Sequence, residues 1–440
     1  MRVMIVNYFT RENRGDAALL SVLIEQIREA FPEAELGCFG FEDPARHPEF
    51  DAVPNFGSIR RYVGEQSVGP VRRHSRKLYP LLLWALLSAG LGRALLRVAP
   101  RLLPGEVAAE FTALARADLV VSVGGGYLRG SADLPADVSV GLLLLPLWIA
   151  QHFGVPVVFG PESYGPFPTR FQRTAARRVL GRATVVSARE DISLGLLADE
   201  GVPERVARRD VDSAFAFTGR AERPWRAELG IPEHARLVLV TARAYLPAAQ
   251  QRAYEAALAG CLARVLAEPD AHVVLAPQVT STYHEDDDRI VQRRIEALVA
   301  DPRLHSVQDP EVSHHEIMSL YAAADLMIGT RFHSVIFSLV AHVPVIAISY
   351  ERKGRGIMRD LGLEHWVIDM ADVTAENLGA LYDELRAAEG YRAQLAALIP
   401  AYRARAGEFV QVLRAAAAAQ RPESQPQSAI AVLSAEKTGR

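Results

Sequence analysis

Cysteine is nearly absent: Cys38 and Cys261 are the only two in 440 residues. They lie far apart and suggest neither a disulfide framework nor a zinc site. That usage fits a reducing compartment, so cytoplasmic residence is expected. A secretory pattern is missing as well, because the chain opens on the apolar strand MRVMIVNY without n-region, h-region or cleavage site. There is no strong net charge. Lys and Arg total 49 against 52 Asp and Glu, a formal charge of −3, which argues against a general nucleic-acid partner. No repeat of solenoid period stands out. The oligomeric state cannot be read from any of this.

What is present is apolar material. Half the residues are hydrophobic and 23% charged, the composition of a soluble protein with ample core. Single cores stop growing at roughly 250–300 residues, so this chain is expected to hold more than one domain. Two alternating β/α series appear. The first comprises Val3–Tyr8, a helix over Ala18–Ala30, Leu119–Val123, Val155–Phe159 and Thr184–Ser187. The second comprises Leu237–Thr241, a helix over Ala253–Leu266, His272–Ala276, a helix over Arg289–Ala300, Leu326–Ile328, Val343–Ser349 and Trp366–Asp369. Short β-branched runs alternating with helical stretches predict parallel sheets covered on both faces. The expected architecture is α/β, with two doubly wound, Rossmann-like domains facing each other across a cleft. Residues 1–218 would form the first domain, 219–235 a polar linker with two prolines, 236–400 the second domain and 401–420 a C-terminal helix. The Gln/Ser/Pro-rich stretch 421–440 is expected to be disordered.

One segment breaks the alternation, an excursion over 60–115. From Arg60 to Arg101 nine Arg and Lys residues face the single Glu65, around the apolar run Tyr79–Gly92. Fourteen uncharged residues are too few to span a bilayer, which needs about 20. The run is expected either to pack as a helix on the domain or to anchor at a membrane surface, with Trp84 at headgroup depth and Arg60, Arg61, Arg72 and Arg73 drawn to anionic lipid.

Chemistry-bearing residues cluster just after the predicted strands. NRGDAAL (Asn13–Leu19) puts Asp16 at a helix start, where it could cap the helix or face a ligand. SVGGGYL (Ser122–Leu128) places Gly124, Gly125 and Gly126 after a strand, allowing close main-chain approach by a ligand. No Gly-Lys-Ser/Thr follows and the G-x-G-x-x-G spacing is missing, so this is neither a P-loop nor a dinucleotide fingerprint. FGPESYGPF (Phe159–Phe167) displays Glu162, Ser163 and Tyr164 between two Gly-Pro pairs. Glu162 is a candidate acid/base if its pKa is raised, and otherwise a solvated loop carboxylate. SARED places Arg189 after a strand, TARAYL repeats the arrangement with Arg243, GTRFHS (Gly329–Ser334) displays Arg331 and His333, and SYERKGRG adds Tyr350 and Lys353. Parallel strands share one rim at their carboxyl ends, so these cations are expected to converge on one cleft. Unpaired, they would repel one another, and a small anion would relieve the cost. Phosphate and carboxylate both suit the arginine fork.

These motifs, with DVDSAF (Asp210–Phe215) and VPVIAISYERK (Val343–Lys353), occur in the order seen in the polysaccharide pyruvyl transferase family, which the chain resembles over roughly residues 1–370. The resemblance implies a fold similar to two-domain GT-B glycosyltransferases. It implies phosphoenolpyruvate as donor and co-substrate, with no cofactor and no metal, and a surface-glycan sugar or its precursor as acceptor. Pyruvate would be attached as a cyclic ketal and phosphate released. Arg331 and His333 resemble the family's phosphoenolpyruvate-binding pair, and Arg189 a further anion contact, with Arg243 and Lys353 added here. His333 is expected either to donate a hydrogen bond to the phosphate or to act as the acid, with Glu162 or Asp16 the group activating the acceptor, and Gly124, Gly125, Gly126, Tyr164 and Tyr350 the acceptor contacts. The family commonly carries glutamine where this chain has Glu162, and an acidic residue where it has Leu128-Arg129-Gly130. The alternatives are a GT-B glycosyltransferase using a nucleotide sugar, or a non-catalytic anion- or sugar-binding subunit. Against the first, Phe332–Tyr350 contains no acidic residue. The acceptor could be lipid-linked, nucleotide-linked or polymeric, and a lipid-linked one would place the protein on the inner face of the membrane.

Overall fold

The computed structural model describes residues 1–64, 75–281, 286–350 and 352–419. Stretch 421–440 therefore lies outside the described residues. Two six-stranded parallel sheets carry the chain. The first contains β1 (Arg2–Tyr8), β2 (Glu35–Gly40), β3 (Leu119–Ser122), β4 (Val157–Glu162), β5 (Val185–Ala188) and β6 (Ala207–Arg209), in the order β2-β1-β3-β4-β5-β6. The second contains β7 (Arg236–Thr241), β8 (Ala271–Leu275), β9 (Leu304–Ser306), β10 (Leu326–Gly329), β11 (Val345–Ser349) and β12 (Val367–Asp369), in the order β9-β8-β7-β10-β11-β12. The fold is thus α/β with two Rossmann-like, GT-B-like halves. Central strands such as β3 and β7 read as apolar runs because helices bury both of their faces. β2, β6 and β9 did not stand out in the sequence. Each is an edge strand, and ELGCFG, ARR and LHS carry no continuous apolar run.

Strand order reverses between β1 and β3 and between β7 and β10, and at such a switch point the loops diverge to leave a crevice. Register sets Val6 beside Ser122 and Thr241 beside Gly329. The segments that follow these residues are therefore brought together in pairs.

The two halves are bolted to each other. Helix α1 (Arg14–Ala30) belongs to an apolar core that continues from Ile5 of the first sheet to Val238 of the second. Arg14, 1% exposed, donates to the carbonyls of Pro310 (2.8 Å) and Val312 (3.0 and 3.1 Å) and to Thr280 Oγ1 (2.5 Å). The last helix, Phe409–Ala418, returns to the first half, where Arg414 donates to the Glu29 carbonyl at 2.9 Å.

Helix α2 (Leu134–His152) is long and apolar enough to cross a membrane, yet it lies largely within the first domain's core. The excursion packs on it: Trp84 meets Trp148 with ring centroids 3.9 Å apart, and Leu83 and Leu87 are buried. Two of the four arginines expected at a membrane are engaged elsewhere. Arg61 pairs with Asp43 and Glu106, both at 2.9 Å, and Arg60 lies over the rings of Phe9 and Phe41. Arg72 and Arg73 lie outside the described residues.

Candidate active site

The carboxyl ends of both sheets open onto one cleft of about 400 Å³. Its second-domain wall is the turn after β10. Thr241 Oγ1 accepts the Thr330 N–H at 3.0 Å and bonds Ser334 Oγ at 2.8 Å, while Ser334 donates to the Arg331 carbonyl at 2.6 Å. This network fixes the start of helix α3 (Phe332–Val340), with Arg331 extended at the N-cap. Arg331 Nε and Nη2 then donate to Asp288 at 3.0 and 2.6 Å, and Nη1 donates to Asp286 at 3.1 Å. Asp288 is itself buried and accepts the Gln278 and Val279 N–H groups at 2.9 and 3.0 Å. Burial alone would lower the Arg331 pKa; the two carboxylates outweigh it and raise it. Arg243 lines the same wall with its guanidinium 4.4 Å from the Tyr350 ring centroid and 3.6 Å from Asp286. Tyr350 meets Tyr245 in turn, the rings tilted by 50° with centroids 4.6 Å apart.

The first-domain wall contributes Arg189, directly after β5. Its Nη1 donates to Asp212 at 2.6 Å, its Nε donates to Ser163 Oγ at 2.8 Å, and Glu190 stands at 3.5 Å. Burial would lower the Arg189 pKa, and Asp212 and Glu190 more than offset it. The guanidinium also lies over the Phe332 ring at 4.5 Å, joining the two walls. Asp212 reaches toward the second wall as well, with Oδ2 3.9 Å from His333 Nε2. Asp16 faces the cleft, although Asn13 and not Asp16 caps α1: the Asn13 amide oxygen accepts the Gly15 N–H at 3.1 Å. Next to Asp16, Gly15 meets His333 closely, since a Cβ there would fall 2.1 Å from His333 Nδ1.

Arg189, Arg243, Arg331, His333, Asp16, Gly126 and Tyr350 thus meet in one cleft, and other expectations need correcting. Gly124 and Gly125 serve the loop's own packing: a Cβ on Gly124 would strike the Pro161 carbonyl at 2.1 Å, and Gly125 sits at φ +142°. Glu162 is neither solvated nor in the cleft wall. It is fully buried behind the glycine-rich loop, where Oε1 accepts the Tyr127 and Leu128 N–H groups at 3.1 Å each. Burial pushes its pKa up to about 8. Tyr164 is buried in the first domain's core against Phe159 and does not line the cleft. The Lys353 side chain lies outside the described residues.

The largest correction is electrostatic. Arg189 and Arg331 are not bare cations awaiting an anion, because each is held by its own buried carboxylates. Those partners went unassigned in the sequence. Asp212 lay inside the quoted DVDSAF motif, and Asp286 and Asp288 in the acidic run DDD (Asp286–Asp288) ahead of an amphipathic helix. Arg60, Arg129 and Ser139 also line the cleft.

Elsewhere the fold assembles a group no spacing announced. Ligand atoms of Asp51, His314 and His315 lie within 4.8 Å of one another at the domain boundary. Ser21 Oγ already bonds both Asp51 Oδ2 (2.6 Å) and His314 Nε2 (2.7 Å). Burial lowers the His314 pKa to about 3, keeping that ring neutral between Phe50 and Phe217.

Residues 13–352 match the model of the polysaccharide pyruvyl transferase family. The amylovoran biosynthesis protein AmsJ of Erwinia amylovora is 25% identical over 401 residues, covering 84% of this chain and 88% of its own. Among solved structures, the UDP-GlcNAc 2-epimerase of Methanocaldococcus jannaschii superposes with a TM-score of 0.56 at 12% identity, covering 94% of this chain and 99% of its own. That of Neisseria meningitidis bound to UDP-GlcNAc gives 0.55 at 12%, with the same coverage. At such identities the likeness is one of fold.

Proposed function

Because the chain belongs to the polysaccharide pyruvyl transferase family, we propose that it moves the pyruvyl unit of phosphoenolpyruvate onto a sugar of a surface glycan or its precursor, as a cyclic ketal, in the cytoplasm. The observation that carries this reading is the convergence of His333, Arg189 and Asp16 from both domains on one cleft, next to the amino end of α3. Polysaccharide work by the relative AmsJ points the same way.

The donor fits the second-domain wall. A helix amino terminus favours phosphate through its N–H groups and dipole, and α3 begins there. Arg243, with one face on Tyr350, supplies charge on the wall itself. Arg331 acts in an anchored form: Asp288 fixes the plane of the guanidinium, so little orientation is lost when an anion arrives. His333 stands beside Gly15, and in this reading it delivers a proton to the methylene carbon. Protonation turns that methylene into a methyl group and leaves positive character at the adjacent carbon. A sugar hydroxyl adds there, phosphate leaves with the C–O bond electrons, and a second hydroxyl closes the ring with loss of its proton. In this reading Asp16, which lines the cleft, receives a hydroxyl proton. Glu162 shapes the acceptor side indirectly by holding Tyr127 and Leu128.

The test is phosphate release from phosphoenolpyruvate across a panel of hexose glycosides. Products are weighed for the gain of one pyruvic acid less one water. Phosphate released without that gain, or nucleotide diphosphate released from a nucleotide sugar instead, would overturn the reading.

A further inference from the structure

Two consecutive helices of the excursion, Leu78–Ser88 and Gly92–Leu102, bury one side and leave the other uncovered. Leu83, Leu87, Leu95 and Ala99 face the domain. Leu78, Leu81 and Leu82 of the first helix stay 63%, 64% and 46% exposed, and Leu91 and Leu102 at the ends of the second 49% and 66%. In the second helix the exposed residues sort by chemistry. Leu91, Ala94, Val98 and Leu102 fall at spacings of three and four, hence on one side. Arg93, Arg97 and Arg101 form a parallel exposed row beside them.

We propose that this surface docks on an anionic lipid bilayer. From Lys77 to Gly105 the chain holds four basic residues and no acidic one, and all four are exposed. An unbroken aliphatic row beside an unbroken cationic row is complementary to acyl chains beneath anionic headgroups. A protein partner would be expected to require aromatic anchors and hydrogen-bonding groups of both polarities, whereas the exposed row here is aliphatic. The surface adjoins the cleft. Trp84 lies 4.0 Å from the position a Cβ would take on Gly141, and Ser139, two residues earlier in α2, lines the cleft wall. Docking therefore holds the first domain at the bilayer, where a sugar carried on a lipid anchor would be presented. That last consequence rests on the pyruvyl-transfer reading; docking itself does not.

The experiment is flotation of the full chain with vesicles of phosphatidylcholine alone or mixed with phosphatidylglycerol. The comparison is wild type against Leu81→Asp/Leu82→Asp and against Arg93→Glu/Arg97→Glu/Arg101→Glu. Wild type is expected to float with the mixed vesicles only, and each variant to lose that binding by about tenfold with its thermal unfolding unchanged. Equal flotation of wild type and variants, or none by wild type, would overturn the proposal. So would concentration-dependent self-association that the leucine variant abolishes, since this would mark the face as a protein interface. Phosphate release with a water-soluble glycoside is measured alongside and should be the same in all three proteins. Flotation without phosphate release in wild type, across the soluble panel and a lipid-linked glycoside alike, would leave docking standing and remove the pyruvyl-transfer reading.

Discussion

Gly15 and His333 stand so close that a single added carbon on the glycine would overlap the imidazole, 2.1 Å from Nδ1. One residue starts α1 of the first domain and the other lies in the first turn of α3 in the second. The contact brings the two walls of the cleft together at this point. Gly15→Ala is expected to displace the imidazole and lower kcat/KM at least about tenfold, a loss typical of a misplaced catalytic group. The overlap also overpacks the domain boundary, a cost of about 1–3 kcal/mol, so thermal unfolding should fall by a few degrees. Steady-state kinetics beside calorimetry checks both, and full activity in the variant would remove His333 from the chemistry.

The Arg189–Asp212 pair is fully buried, with Nη1 to Oδ2 at 2.6 Å. Breaking a buried pair from one side strands a charge and costs about 3–5 kcal/mol. Arg189→Met and Asp212→Leu should each lose stability of that order in urea unfolding, while the double variant recovers much of it. Activity should stay lost in the two variants that lack Arg189, because the cleft loses its cation over Phe332, and should fall in Asp212→Leu, where that cation loses its anchor. Additive destabilisation in the double variant would show that the two side chains do not act as a pair.

Arg331 and Arg243 should separate in titration calorimetry. Arg243 is 15% exposed and packs on Tyr350, so Arg243→Ala is expected to weaken phosphoenolpyruvate binding about tenfold or more without unfolding the protein. Arg331→Ala should abolish binding and also destabilise the fold, since it strands Asp288 in the interior. His333→Ala should bind the donor and turn over slowly. Undiminished affinity in Arg331→Ala would refute the donor-site assignment.

Glu162 offers a pH test. Its pKa rises from the ordinary carboxylate range to about 8 in the folded protein, so the folded state holds a proton that the unfolded state releases. Stability from this group is therefore complete below about pH 4.5 and declines as pH climbs toward and through 8. Glu162→Gln keeps an oxygen to accept the Tyr127 and Leu128 N–H groups and cannot ionise. The variant should match wild type at pH 4.5 and exceed it at pH 9, by an amount on the order of a few kcal/mol. Parallel unfolding curves at both pH values decide this, and an unchanged difference would mean Glu162 is charged throughout.

The site shows where sequence reasoning reached its limit. His333, Arg331, Arg189, Arg243 and Asp16 were legible because each follows an apolar run that could only be a buried parallel strand, and such strands put their carboxyl ends on one rim. Glu162 and Tyr164 follow such a run too, but the chain folds under the glycine-rich loop at Gly124 and Gly125, which turns both side chains inward. No local pattern distinguishes a loop that faces the cleft from one that supports another loop.

By itself, the sequence determined the alternating β/α order, the two sheets and the presence at their mouths of Asp16, Arg189, Arg243, Arg331 and His333. All of these follow from periodicity and from apolar runs that must be buried. Only the tertiary structure decided which carboxylates neutralise which arginines. Asp212 is 23 residues from Arg189, and Asp288 is 43 from Arg331. Charges separated by that much chain acquire partners only when packing removes water from around them, and packing is a property of the whole fold.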